Sequence, residues 1–116
     1  KKKYYILKKN IKRFKKRKMP DNGVSNYDNY IFFVNSKKEK IKILEILHKS
    51  NISTKNLPDA IKWHCAYYWR HIFTLKDVVS TKKTKQLLDT AIAIPIFYKK
   101  KLDFYIKLAK KINKLR

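Results

Sequence analysis

Asn56 to Leu75 read NLPDAIKWHCAYYWRHIFTL, the most aromatic-dense stretch of the chain, with both tryptophans, the only cysteine and two of the three histidines. Asn56, with Pro58 and Asp59 close behind, has the form of a helix start: a polar cap, a proline tolerated in the first turn, and an early carboxylate. On a helical wheel Ile61, Cys65, Tyr68, Ile72 and Leu75 make one apolar stripe, and Ala66, Trp69 and Phe73 widen it to about half the circumference. Trp63, His64, Tyr67, Arg70 and His71 fall on the other half. Rings and cations share that second face, so it can either pack or bind. The pattern predicts a central helix of a small domain.

Helical signals continue on both sides. Ser36-Lys37-Lys38-Glu39 is a capping box, and the helix it opens runs to about Lys49 with Ile41, Ile43, Leu44, Ile46 and Leu47 covering most of its circumference. Downstream, Ser80 or Thr81 serves as a cap for a helix lined by Leu87, Leu88, Ala91, Ile92 and Ile94, which ends or kinks at Pro95. Ile96 to Arg116 reads as an amphipathic helix. Phe97, Leu102, Phe104, Tyr105, Ile106, Leu108, Ala109, Ile112 and Leu115 fill one half, and Lys99, Lys100, Lys107, Lys110, Lys111 and Lys114 the other, with Asp103 placed to pair with Lys107. Tyr30 to Val34, YIFFV, suits a strand or the lead into a helix, and periodicity does not decide between them.

The N-terminal segment Lys1 to Lys18 carries eleven Lys or Arg and no acid. Tyr4, Leu7, Ile11 and Phe14 give it a narrow apolar seam at helical spacing. Lysine repulsion opposes such a helix in water and phosphates favour it, so the expectation is an arm that orders on a polyanion. Met19 to Asn29 is rich in Pro, Asp, Asn and Gly and reads as a linker. The expected architecture is therefore all-α: a small bundle of about three to four short helices with a basic N-terminal arm, and room for a short strand at 30–34. The expected divisions are arm 1–19, linker 20–29 and helical domain 30–116.

A chain of 116 residues can build one modest core. Its formal net charge is +23, from 31 Lys plus Arg against 8 Asp plus Glu. Self-repulsion on that scale calls for a polyanionic partner, either a nucleic acid or an anionic lipid surface. The single glycine disfavours phosphate-cradling loops, and the single cysteine rules out an internal disulfide. No apolar run is long enough to span a bilayer. The chain begins at Lys1 rather than Met, as after cleavage of an organellar presequence or trimming of a longer chain.

Catalysis is not expected. The carboxylates are scattered singly, with no pair placed for acid–base work. His64 and Cys65 are neighbours and diverge by about 100° on a helix, so they do not form a nucleophile pair. His64, Cys65, His71 and the distant His48 lack the spacing of a zinc site, so no metal or other cofactor is expected.

Binding is the better-supported chemistry. Lysine is a point-charge phosphate ligand that follows a backbone without reading sequence. The candidate RNA-binding residues are Lys1, Lys2, Lys3, Lys8, Lys9, Lys12, Arg13, Lys15, Lys16, Arg17 and Lys18 of the arm. Lys99, Lys100, Lys107, Lys110, Lys111 and Lys114 of the last helix join them. Trp63, Tyr67, Arg70 and His71 form a mixed face that can stack on unpaired bases or pack on a neighbouring protein. The first reading is a structural component of a ribonucleoprotein particle, a ribosomal protein contacting rRNA. A mitochondrial or other organellar ribosome is the first choice and a cytoplasmic one the second. DNA is less suited, since the short Gly-containing turn of a helix-turn-helix is missing and little Arg is available for guanine. The alternative from another class is a peripheral subunit of a membrane complex, with its basic amphipathic helices lying on anionic lipid.

Overall fold

A computed structural model describes residues 1–54 and 57–115. Among these residues six α-helices form: α1 (Lys2–Asn10), α2 (Lys37–Lys49), α3 (Ile61–His64), α4 (Leu75–Ser80), α5 (Lys82–Asp89) and α6 (Leu102–Asn113). Three strands, β1 (Lys15–Lys16), β2 (Asn29–Phe33) and β3 (Ala91–Pro95), make one antiparallel sheet with β2 in the middle. The fold is mixed α/β. This corrects the expected all-α bundle.

The overturning element is Ala91-Ile92-Ala93-Ile94-Pro95. Read as the tail of a helix, it is instead a strand that pairs with β2 through Tyr30↔Ile94 and Phe32↔Ile92. Its residues alternate between faces, as a two-residue period requires. Ile92 and Ile94 enter the main core, while Ala91 and Ala93 face a second, smaller cluster. Both sides are covered, so all four are buried and the run shows no polar alternation. Pro95, which cannot donate to a ladder, sits at the strand's end. The Ala93 N–H donates to the Leu57 carbonyl at 3.0 Å, which covers part of the outer edge of β3.

The sheet is thus a middle layer. On one face Tyr30, Phe32, Ile92 and Ile94 meet Leu7, Ile11 and Phe14 from the N-terminal segment, Ile43 and Leu47 from α2, and Tyr105, Leu108 and Ile112 from α6. On the other, Ile31, Phe33, Ala91 and Ala93 meet Leu57, Ile61 and Leu88. The Tyr4, Leu7, Ile11, Phe14 seam is real, but it packs into the body: Leu7 and Ile11 are wholly buried. After α1 the chain continues through Phe14, stacked on Phe32 at 5.3 Å, into β1.

Of the expected central helix, residues 57–75 do not form one continuous helix. The expected cap at Asn56 lies outside the described residues. α3 is a single turn, Cys65 is extended (φ −122°, ψ 113°), and Ala66–Tyr68 make one 3₁₀ turn. Thr74 then caps α4 in a box with Asp77, restarting the helix where the wheel had assumed continuity. Aromatic side chains lose rotamer freedom in a helix, so a stretch this rich in them has little intrinsic drive to resist such breaks. The last helix is also shorter than its pattern. It starts at Leu102, and Tyr105 organises the preceding loop by accepting from the Phe97 N–H at 2.8 Å and donating to the Pro95 carbonyl at 3.3 Å. At α2, Ser36 accepts from the Glu39 N–H at 3.1 Å, while Glu39 reaches the Asn35 N–H rather than that of Ser36.

Candidate nucleic-acid interface

α1 and α6 lie side by side and run in the same direction. Lys3, near the start of α1, donates to the carbonyls of Phe97 and Tyr98 just ahead of α6 (2.9 and 2.7 Å), and Asn113 at the end of α6 donates to the Asn10 carbonyl. Most of their apolar side chains pack into the core, while Tyr5 and Leu102 stay exposed. Lys8, Lys9 and Lys12 at the end of α1, and Lys110, Lys111 and Lys114 at the end of α6, are all exposed. The sheet and the Asn10–Asn113 tie therefore bring together cations that are about a hundred residues apart in sequence, producing one basic layer.

Not every expected ligand is equally available. Arg13 donates to the Glu39 carboxylate and the Leu115 carbonyl, pinning the end of α1 to α2 and α6. Lys3 is held by its two carbonyls, with Tyr105 beneath it at 6.0 Å. Lys107 pairs with Asp103 at 2.8 Å, a hydrogen bond that raises the lysine pKa. Lys100 lies 4.6 Å over the Phe104 ring, Lys1 5.8 Å over Tyr27 and Lys8 5.9 Å over Tyr5. Lys2, Lys15, Arg17, Lys18 and Lys99 are exposed and Lys16 is half-buried, with the Arg17 guanidinium 3.1 Å from the Met19 sulfur. Ion pairs among the described residues include Arg13–Glu39, Lys85–Asp89 and Lys107–Asp103.

The mixed face splits in two. Trp63 and His71 line an open groove of about 650 Å³ with Lys62, Tyr68, Trp69 and Ile72. Tyr67 is not part of that lining; its ring packs edge-on against Tyr68 at 5.6 Å and carries Arg70 at 6.0 Å and Lys85 at 5.4 Å. Lys85, which the sequence reading did not single out, is also paired with Asp89, and that hydrogen bond raises its pKa. Its helical spacing to Asp89 was visible, but its approach to Tyr67 depends on the turn at Ala66–Tyr68. Cys65 is buried while His64 and His71 are exposed, and no cluster of three or more metal-ligating side chains occurs among the described residues. No helix among them is long and apolar enough to cross a membrane.

Comparison with protein-family models, curated proteins and solved structures finds no match to this chain. Function therefore rests on the geometry alone.

Proposed function

We propose that the chain is a structural RNA-binding component of a ribonucleoprotein particle, with the layer formed by α1 and α6 laid against phosphates. The observation that carries this is the shortage of internal neutralisation. The 31 Lys and Arg far outnumber the 8 Asp and Glu, and exposed lysines from the two ends of the chain meet where α1 and α6 end together. A ribosome, organellar and specifically mitochondrial in the first instance, is the particle such a small lysine-rich body suits best. Neighbouring proteins of the particle would share the remaining surface.

The packing favours RNA over lipid. A helix that lies on a membrane needs a free apolar face, and Tyr105, Leu108, Ala109 and Ile112 of α6 are already buried in the core, as is Leu7 of α1. Binding of the chain to a structured rRNA fragment and to anionic vesicles, each across a salt series, tests the reading. RNA binding that weakens linearly in log salt, with vesicle binding lost at moderate salt, supports it. Vesicle binding that survives high salt, with no RNA binding, overturns it.

A further inference from the structure

Away from the α1–α6 layer, exposed apolar surface is concentrated on the stretch between Ile61 and Leu87. Trp63 is 81% exposed, and Ile72, Leu75 and Val79 are each more than half exposed. Leu75 and Val79, four residues apart on α4, form one stripe, and α4 packs against the 3₁₀ turn that supplies Tyr68 to the groove wall. Trp69 stiffens the floor, stacked on Phe73 at 6.1 Å and donating its indole N–H to the Lys62 carbonyl at 3.1 Å. An apolar patch of this kind on a small domain marks an interaction site.

We infer that this shelf docks a segment of a second protein that presents apolar side chains flanked by carboxylates. Charge complementarity selects that partner. Lys62 and His71 line the groove and are exposed, and Arg70 and Lys76 are exposed in the same stretch of chain. The one carboxylate between residues 60 and 88, Asp77, is committed to Thr74, whose hydroxyl donates to it at 2.5 Å. A second copy of the chain is a poor occupant, because each copy brings +23 and the same cations. Nucleic acid is a poor occupant as well. Trp63 offers bases one plane, but Leu75 and Val79 beyond it are aliphatic and offer none. This surface is independent of the phosphate-binding layer, so either assignment can fail alone.

Trp63 and Trp69 are the only tryptophans and both line the groove, so intrinsic fluorescence reports on it directly. The probes are a synthetic helical peptide with a Leu/Phe stripe flanked by Glu, its Lys-for-Glu counterpart, and a single-stranded oligouridylate. Sedimentation of the chain alone covers self-association. The Glu peptide is expected to shift the emission to the blue, with binding weakened about tenfold in Trp63→Ala and in Leu75→Ser, the effect of truncating a hot-spot side chain. Both side chains are exposed, so circular dichroism and thermal melting should match the parent and show that the loss is at the surface. The inference is overturned if the Glu peptide fails to bind or the Lys peptide binds equally well. It is also overturned if oligouridylate quenches in a Trp63-dependent way, or if the chain dimerises through Leu75.

Discussion

The side-chain amide of Asn113 donates to the main-chain carbonyl of Asn10 at 2.6 Å, fastening the last turn of α6 to the end of α1. With Lys3 held at the opposite end by the Phe97 and Tyr98 carbonyls, the first helix is clamped along its length. The most basic segment of the chain is therefore part of the body. Removing residues 1–14 takes Leu7, Ile11 and Phe14 out of the main core, and the expected outcome is loss of cooperative unfolding. Leu7→Ala alone should cost about 2–5 kcal/mol in a denaturant titration, the range for a deleted buried leucine. A truncated chain that melts like the parent would show that the segment does not hold the sheet.

That result bears on what the sequence could say. The spacing of Leu7, Ile11 and Phe14 was legible, but spacing says only that a seam exists. Whether the seam meets phosphate-bound helix or protein core depends on the sheet, and the sheet was hidden in Ala91–Pro95. Four apolar residues buried on both faces look the same on a helical wheel as on a strand. Ser36 was readable as a cap because its signal is local. Thr74 was missed for the opposite reason: its box with Asp77 falls inside a stretch whose wheel looked continuous. The basic layer was legible as composition, whereas its assembly from two ends of the chain required the fold.

Tyr30 provides a test of the core's polarity. Its ring is buried between α1 and the sheet, and its hydroxyl finds no hydrogen-bond partner among the described residues. Burial, with a smaller contribution from Tyr4, pushes its pKa from 10.0 up to about 12. The unfolded chain releases the phenolic proton first, so this contribution to stability is complete below pH 10 and is lost as pH rises toward 12. Tyr30→Phe should match the parent at neutral pH or gain up to about 1 kcal/mol, since no partner is orphaned. Between pH 10 and 12 it should lose less stability than the parent, as read by urea titrations along the pH series. A larger alkaline loss in the variant would mean that the fold favours the phenolate and lowers the Tyr30 pKa instead of raising it.

Thr74→Ala removes the hydroxyl, which accepts from the Asp77 N–H and donates to the Asp77 carboxylate, and leaves the other arm of the box, the Thr74 N–H donating to Asp77, in place. The expected cost is about 1 kcal/mol. Because α4 buries only Val78, the loss should be local. Hydrogen exchange should speed up across Leu75–Ser80 and leave β2 and β3 protected. Uniform acceleration across the sheet would contradict the separation between this layer and the main core.

The two tryptophans should behave differently. Trp63 stands in solvent, so Trp63→Ala leaves the melting temperature within error of the parent. Trp69 is half-buried, stacked on Phe73 and hydrogen-bonded to Lys62, and its replacement by Ala should destabilise by about 1–3 kcal/mol. Equal melting of the two variants would place Trp69 outside the folded structure of the 61–73 segment.

Lys3 and Arg13 are engaged in the fold, so a charge variant that includes them confounds binding with folding. The decisive comparison uses Gln at Lys8, Lys9, Lys12, Lys110, Lys111 and Lys114, against Gln at six exposed lysines elsewhere: Lys37, Lys38, Lys49, Lys76, Lys82 and Lys83. The measurement is the slope of log affinity for a structured rRNA fragment against log salt. Each phosphate neutralised contributes about 0.7–0.9 to that slope, so the first variant should flatten it by about 4 to 5 while the second leaves it close to the parent value. Equal flattening by both sets, or a parent slope near zero, would contradict the account.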